Sequence, residues 1–138
     1  MVSSVGYISG QELKEIIKGP GKPGTDYLVV DVRDEDHAGG NITNSAHWPS
    51  EEFEEGVHKL IAESKHLQKI VFHCALSQQR GPFAARHYAQ IREHEARKSP
   101  HDFANQEILI LRSGFTGWQQ LYKDDAELVV NWDPERWG

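Results

Sequence analysis

Residues 27–32, Tyr27-Leu28-Val29-Val30-Asp31-Val32, are apolar at every position but Asp31. A strand with one wet face alternates apolar and polar residues. An unbroken apolar run is instead expected of a strand covered on both faces, the condition of a parallel sheet whose crossovers lay helices on each side. Lys69-Ile70-Val71-Phe72 and Glu107-Ile108-Leu109-Ile110-Leu111 repeat the pattern, the latter as the last strand. Between these runs the spacing turns helical. The chain is therefore expected to be α/β, a mostly parallel central sheet flanked by helices on both faces.

The connecting segments agree. Val5 to Ile8 is expected as a short edge strand, and Ser9-Gly10-Gln11-Glu12 matches a capping box, with Ser9 as N-cap and Glu12 reaching back. Leu13, Ile16 and Ile17 carry that helix to about Lys18, and residues 19–26, with three glycines and two prolines, form a loop. Ser50 is expected to cap a helix over 50–65, whose Phe53, Val57, Leu60 and Ile61 form one apolar stripe. Its glutamates near the N-terminus suit the helix dipole and are assigned no chemistry. A further helix is expected over 81–98, with Phe83, Ala84, Tyr88 and Ile91 facing inward, ended by Ser99-Pro100. Trp132 and Trp137 are expected to anchor an otherwise polar tail to the body.

At 138 residues the chain suits one domain, 1–138, with 126–138 as a tail packed on it. Hydrophobic content of 38% and a charged fraction of 26% describe an ordinary globular protein. A net charge of −6 argues against a nucleic-acid partner, which selects a basic face. No apolar run reaches membrane-span length and the first residues show no leader pattern, so no membrane partner is expected. One cysteine excludes an internal disulfide and suits a reducing compartment, so the expected location is cytoplasm, nucleus or both. His58 and His66 have no partner at ligand spacing, and neither a metal nor another cofactor is expected.

The chemistry concentrates at His73-Cys74-Ala75-Leu76-Ser77-Gln78-Gln79-Arg80-Gly81-Pro82. It follows a strand and opens a helix, where Pro82 suits the first turn. Five residues separate Cys74 from Arg80. A loop of this size can turn the N–H groups of Ala75, Leu76, Ser77, Gln78, Gln79 and Arg80 inward as a nest for an oxyanion. Arg80 would close the ring with a planar fork matched to phosphate, and Cys74 would lie below as a thiolate nucleophile. A lone cysteine is commonly an inert small residue, but the order of strand, His-Cys, loop, Arg-Gly-Pro and helix favours the nucleophile.

The loop resembles the Cys-x5-Arg phosphate loop of protein tyrosine phosphatases. Arg-Gly-Pro and the rest of the chain, from about Tyr7 to Trp118, resemble the rhodanese-fold dual-specificity phosphatases of the cell-division-cycle twenty-five type, their small stand-alone members and the related arsenate reductases. Asp31-Val32-Arg33 matches the Asp-Val-Arg segment of rhodanese-like domains. Gly39-Gly40-Asn41-Ile42 with Ala46-His47-Trp48-Pro49 is similar to their second signature, with Asn41 where histidine is usual and Ser45 where glycine is. Arg112-Ser113-Gly114-Phe115-x-x-Trp118 is similar to their Gly-Gly-Phe-x-x-Trp, with Ser113 for the first glycine. Phe115 and Trp118 are expected to fill the core under the loop; a substrate-stacking surface is the alternative.

The resemblance implies a rhodanese-like fold and a cysteine-dependent phosphatase acting on phosphotyrosine in a phosphoprotein, with phosphoserine and phosphothreonine as further substrates. Cys74 and Arg80 would be catalytic, with His73 and Asp31 supporting. The related phosphatases often place an acid just before the loop arginine; Gln79 stands there and cannot donate a proton. Asp31, Asp34 and Glu35 are the nearest alternatives, although Asp31 fits a loop-holding role better. Arsenate, an oxyanion of phosphate shape, gives the alternative activity of arsenate reductase, in which glutathione or a glutaredoxin supplies the second thiol. Rhodanese sulfur transfer is disfavoured because those enzymes have a shorter loop. A non-catalytic phosphoprotein-binding module has no use for a reactive thiolate.

Overall fold

The computed structural model describes residues 5–137. In chain order its elements are β1 (Val5–Ile8), α1 (Gly10–Lys18), β2 (Tyr27–Asp31), β3 (Asn41–Ile42), β4 (Ala46–His47), α2 (Phe53–Ser64), β5 (Lys69–His73), α3 (Arg80–Lys98), β6 (Glu107–Leu111), α4 (Gly114–Tyr122), β7 (Val129–Val130) and α5 (Pro134–Trp137). Five strands make a parallel sheet in the order β1-β6-β5-β2-β4. The unbroken apolar runs have the expected cause. Val30, Ile70, Phe72, Ile108 and Ile110 point to one face, onto Phe53, Val57, Leu60 and Ile61 of α2 and Ala84 and Tyr88 of α3. Val29, Val71 and Leu111 point to the other, onto Leu13 of α1 and Phe115 and Trp118 of α4. Each of the three central strands, β6, β5 and β2, is covered on both faces, so both parities of their interiors are largely apolar.

The capping box forms as expected, the Ser9 N–H donating to Glu12 Oε1 and the Glu12 N–H to Ser9 Oγ, both at 3.1 Å. Ser50 does not cap α2. Its hydroxyl donates to Asp34 Oδ2 at 2.5 Å, residues Ser50–Glu52 form a 3-10 turn, and the α-helix begins at Phe53 without a side-chain cap. A longer-range acceptor wins the hydroxyl that local pattern assigns to the helix. Phe83 does not face inward: it is 55% exposed while Ala84 and Tyr88 are buried. Its neighbours Pro82 and Ala84 are buried, so Phe83 lies on the outer face of the first turn of α3. Nor is β6 the last strand, because Val129 and Val130 pair antiparallel with Ile42 and Asn41.

Beyond β7, Trp132 Nε1 donates to Gln119 Oε1 and Trp137 Nε1 to the Gly39 carbonyl, both at 3.0 Å. Asn41 holds its own turn, Nδ2 donating to the Ile42 carbonyl at 3.0 Å and to Ser45 Oγ at 3.4 Å. The two residues that depart from the usual signature thus bond each other. Among the described residues no helix is long and apolar enough to cross a membrane.

Candidate active site

The loop leaves the carboxyl end of β5, where ligands bind in open α/β sheets. Side chains alternate along a strand, so Cys74 continues the side of Ile70 and Phe72, toward α3, while His73 turns to Phe115, ring to ring at 6.4 Å. Cys74 is 3% exposed, and its Sγ accepts from the Ser77 N–H at 3.2 Å and the Gly81 N–H at 3.3 Å. Gly81 permits that approach; a Cβ there would already stand 3.3 Å from the Cys74 nitrogen. Two N–H dipoles therefore converge on the sulfur from the loop and the start of α3.

The loop is tied from beneath by the first turn of α4. The Phe115 N–H donates to the Cys74 carbonyl and the Thr116 N–H to the Ala75 carbonyl, both at 2.9 Å. A Cβ at Gly114 would meet these two carbonyl oxygens at 2.4 and 2.5 Å, and its φ of +53° also favours glycine. With these carbonyls occupied below, the N–H groups of Ala75, Leu76, Gln78, Gln79 and Arg80 have no partner among the described residues. A depression of about 260 Å³ is lined by Cys74 and those same five residues. Unsatisfied donors around a sulfur are what a tetrahedral oxyanion requires. A larger depression, about 370 Å³ beside β1 and α1, has no cysteine in its lining.

Register sets the partners of the two β-strand ends, with Asp31 directly beside His73. Both are fully buried. His73 Nδ1 carries its proton to the Cys74 carbonyl at 3.1 Å, Nε2 makes no hydrogen bond, and burial pushes the imidazole toward its neutral form. Burial opposes ionisation of Asp31, but the His73 ring and the Arg33 fork outweigh it and hold the carboxyl at about 2. Arg33 itself is fully buried. Its Nη2 lies 2.7 Å from Asp31 Oδ2 and 2.8 Å from the Gly40 carbonyl, Nη1 is 3.1 Å from the Asp36 carbonyl, and the guanidinium lies over Phe115 at 4.3 Å. Asp-Val-Arg is thus a brace that shapes residues 34–40.

Arg80 does not close the loop in this structure. Its Nη1 and Nη2 donate to Asp36 Oδ1 at 2.9 Å and Oδ2 at 2.7 Å, with Asp34 Oδ2 at 3.4 Å from Nη1. Arg80 holds the Asp36 carboxyl below its ordinary range. Asp34 is also held low: burial opposes this, and Ser50, the Glu51 N–H and Arg80 outweigh it. Glu35 makes no hydrogen bond to the loop. Sequence reasoning singled out Asp31, Asp34 and Glu35 and missed Asp36, the carboxylate on the loop arginine. The signal for it was weak, because nothing local links positions 44 residues apart. Phe115 and Trp118 are buried beneath the loop, as expected for core rather than for a stacking surface. Among the described residues no group of three or more histidine, cysteine or acidic side chains could hold a metal ion.

Comparison with known proteins adds four findings. Residues 9–121 match the Rhodanese-like domain family. The chain is 33% identical over 120 residues to the dual specificity phosphatase Cdc25 of Arabidopsis thaliana, covering 86% of this chain and 76% of that one. It is 33% identical over 120 residues to arsenate reductase 2.2 of Oryza sativa subsp. japonica, covering 86% and 85%. Among solved structures it superposes on Ygr203w, a yeast protein tyrosine phosphatase of the rhodanese family, with a TM-score of 0.78, 27% identity and full coverage of both chains.

Proposed function

The chain belongs to the rhodanese-like family, and on that premise we propose that it is a cysteine-dependent protein phosphatase acting on phosphotyrosine. The observation that carries this reading is the Cys74 sulfur on the floor of a pocket, receiving two N–H groups and ringed by five more with no partner among the described residues. The relatives named as phosphatases support it.

The phosphate oxygens take up the free loop N–H groups, and Arg80 leaves Asp36 to fork onto them. The exchange trades one pair of charge-assisted bonds for another. The Cys74 thiolate attacks phosphorus from below; the S–P bond forms as the P–O bond to the leaving group breaks. Water then attacks phosphorus, returning the thiolate and releasing phosphate. The spreading equatorial oxygens are met by donors already in place, which is where the rate gain arises.

The leaving oxygen decides the substrate class. Asp31 is sealed under Arg33, Asp34 and Asp36 are held below the ordinary carboxyl range, and among the described residues no carboxyl lines the depression over Cys74. Phenolate, with a pKa of about 10, departs with far less help than an aliphatic alkoxide. Phosphotyrosine is therefore favoured over phosphoserine and phosphothreonine. The test is phosphate release from matched phosphotyrosine and phosphoserine peptides. Wild type is expected to turn over the first faster, and Cys74→Ser neither, while the serine variant still binds inorganic phosphate. Near wild-type turnover by Cys74→Ser would remove the covalent mechanism.

The similarity to a protein named arsenate reductase supports a second activity of the same loop. Cys74 is the only cysteine, so an external thiol such as glutathione must complete it. Cys74 displaces an arsenate oxygen as water, the external thiolate attacks the Cys74 sulfur, and the S–As electron pair leaves with arsenic as arsenite. Two thiols become one mixed disulfide as As(V) becomes As(III). Arsenite production in the presence of glutathione distinguishes this activity from phosphate release.

A further inference from the structure

The pocket over Cys74 does not end at its rim. Gln78 and Gln79 also line a second depression of about 360 Å³, which continues along α3 past Phe83, Arg86, His87 and Gln90. Three features make it a built surface. Phe83 is 55% exposed, yet its ring stacks on His87 at 5.8 Å and 11°, and His87 packs edge-on against the buried Phe53 at 6.3 Å. The exposed ring is therefore one leaf of an anchored aromatic shelf. Arg86 makes no hydrogen bond or ion pair to another described residue, whereas Arg33, Arg80 and Arg97 all sit on carboxylates. Finally, the depression has no carboxylate in its lining, on a protein whose net charge is −6. A cationic, aromatic groove running out of the anion pocket is complementary to an acidic, extended chain.

We propose that this groove binds the residues flanking the phosphorylated tyrosine of a peptide substrate, an apolar or aromatic side chain on the Phe83–His87 shelf and a carboxylate at Arg86. The proposal rests on the phosphatase reading and adds its sequence preference. Six helical residues from Arg80 to Arg86 rise about 9 Å, and an extended peptide advances about 3.3 Å per residue, so the acid falls about three residues from the phosphotyrosine. Neither Phe83 nor Arg86 lines the depression over Cys74, so the groove selects peptides without taking part in the chemistry.

The test uses three phosphotyrosine peptides with aspartate, alanine or lysine at the third position on both sides, and p-nitrophenyl phosphate, which has no flanks. For the wild type kcat/KM is expected to be about tenfold higher for the aspartate than for the lysine peptide. Arg86→Glu is expected to erase or invert that ratio, with p-nitrophenyl phosphate turnover within about twofold of wild type. Phe83→Ala is expected to lower all three peptides about threefold and to spare p-nitrophenyl phosphate. Both substituted positions are exposed, so folding is not at issue. A wild type indifferent to the flanking charge, or an aspartate preference that survives Arg86→Glu, overturns the inference and leaves the phosphatase reading standing. No turnover of any of the four substrates by wild type removes the phosphatase reading and the inference with it.

Discussion

Arg33 and Arg80 each fork onto an aspartate of the same short segment, Asp31 and Asp36, and the two pairs have opposite uses. The Arg33 pair is sealed under the loop, its side chains 1% and 0% exposed, with further donors spent on the Asp36 and Gly40 carbonyls. The Arg80 pair lies at the rim, 32% and 42% exposed, and among the described residues the guanidinium bonds only two carboxylates. Burial is the difference. An ion pair shielded from water is ruinous to break, because the survivor stays charged in a poor solvent; a wet pair is worth about 0–1 kcal/mol and can exchange partners. The same fork is thus a fixed brace in one place and, under the proposed function, a movable arm in the other. The brace also holds the backbone of Asp36, the residue on which the arm rests.

Four measurements can break or sharpen this contrast. The largest effect is expected from Arg33→Ala, which should lose about 3–5 kcal/mol of folding free energy in urea, against less than about 1 kcal/mol for Arg80→Ala. Equal losses would end the distinction. Next, Arg80→Lys should keep its stability but lose the second planar bond to phosphate, lowering turnover roughly ten- to two-hundred-fold. Vanadate, shaped like the transition state, should lose more affinity than inorganic phosphate; equal losses would mean Arg80 adds nothing to the chemical step.

The third measurement concerns acid. Asp31 has a folded pKa of about 2 against an ordinary 3.8, so its contribution of about 2 kcal/mol is complete above about pH 4. It is lost as pH falls through 3.8 toward 2. A carboxyl titration by NMR should find its midpoint near 2, and a midpoint at the ordinary value would contradict the brace. The smallest effect belongs to Asp36→Asn. Releasing Arg80 from its resting partner should raise affinity for inorganic phosphate by about two- to fivefold, less at high salt, with stability unchanged. A fall in affinity would mean that Asp36 aims the arginine rather than competing for it.

What could be read directly from residue order was short in range. Unbroken apolar runs implied strands covered on both faces, Ser9 and Glu12 implied a cap, and a lone cysteine between a strand and Arg-Gly-Pro implied the loop. Each rests on contacts a few residues apart, or on a face that must be apolar whatever covers it. Side-chain partners were another matter. Ser50 bonds Asp34 instead of its helix, Phe83 emerges from a helix turn assigned to the core, Val129 and Val130 pair with residues 41 and 42, and Arg80 rests on Asp36, 44 positions away. Periodicity is silent about such pairings, because it states which face is apolar but not which distant loop will lie against it. The position of residues 34–40 follows from a buried guanidinium that can satisfy its donors only after the sheet has formed. That is why the loop around Cys74 was legible in the chain, while the resting place of Arg80 was decided by the fold.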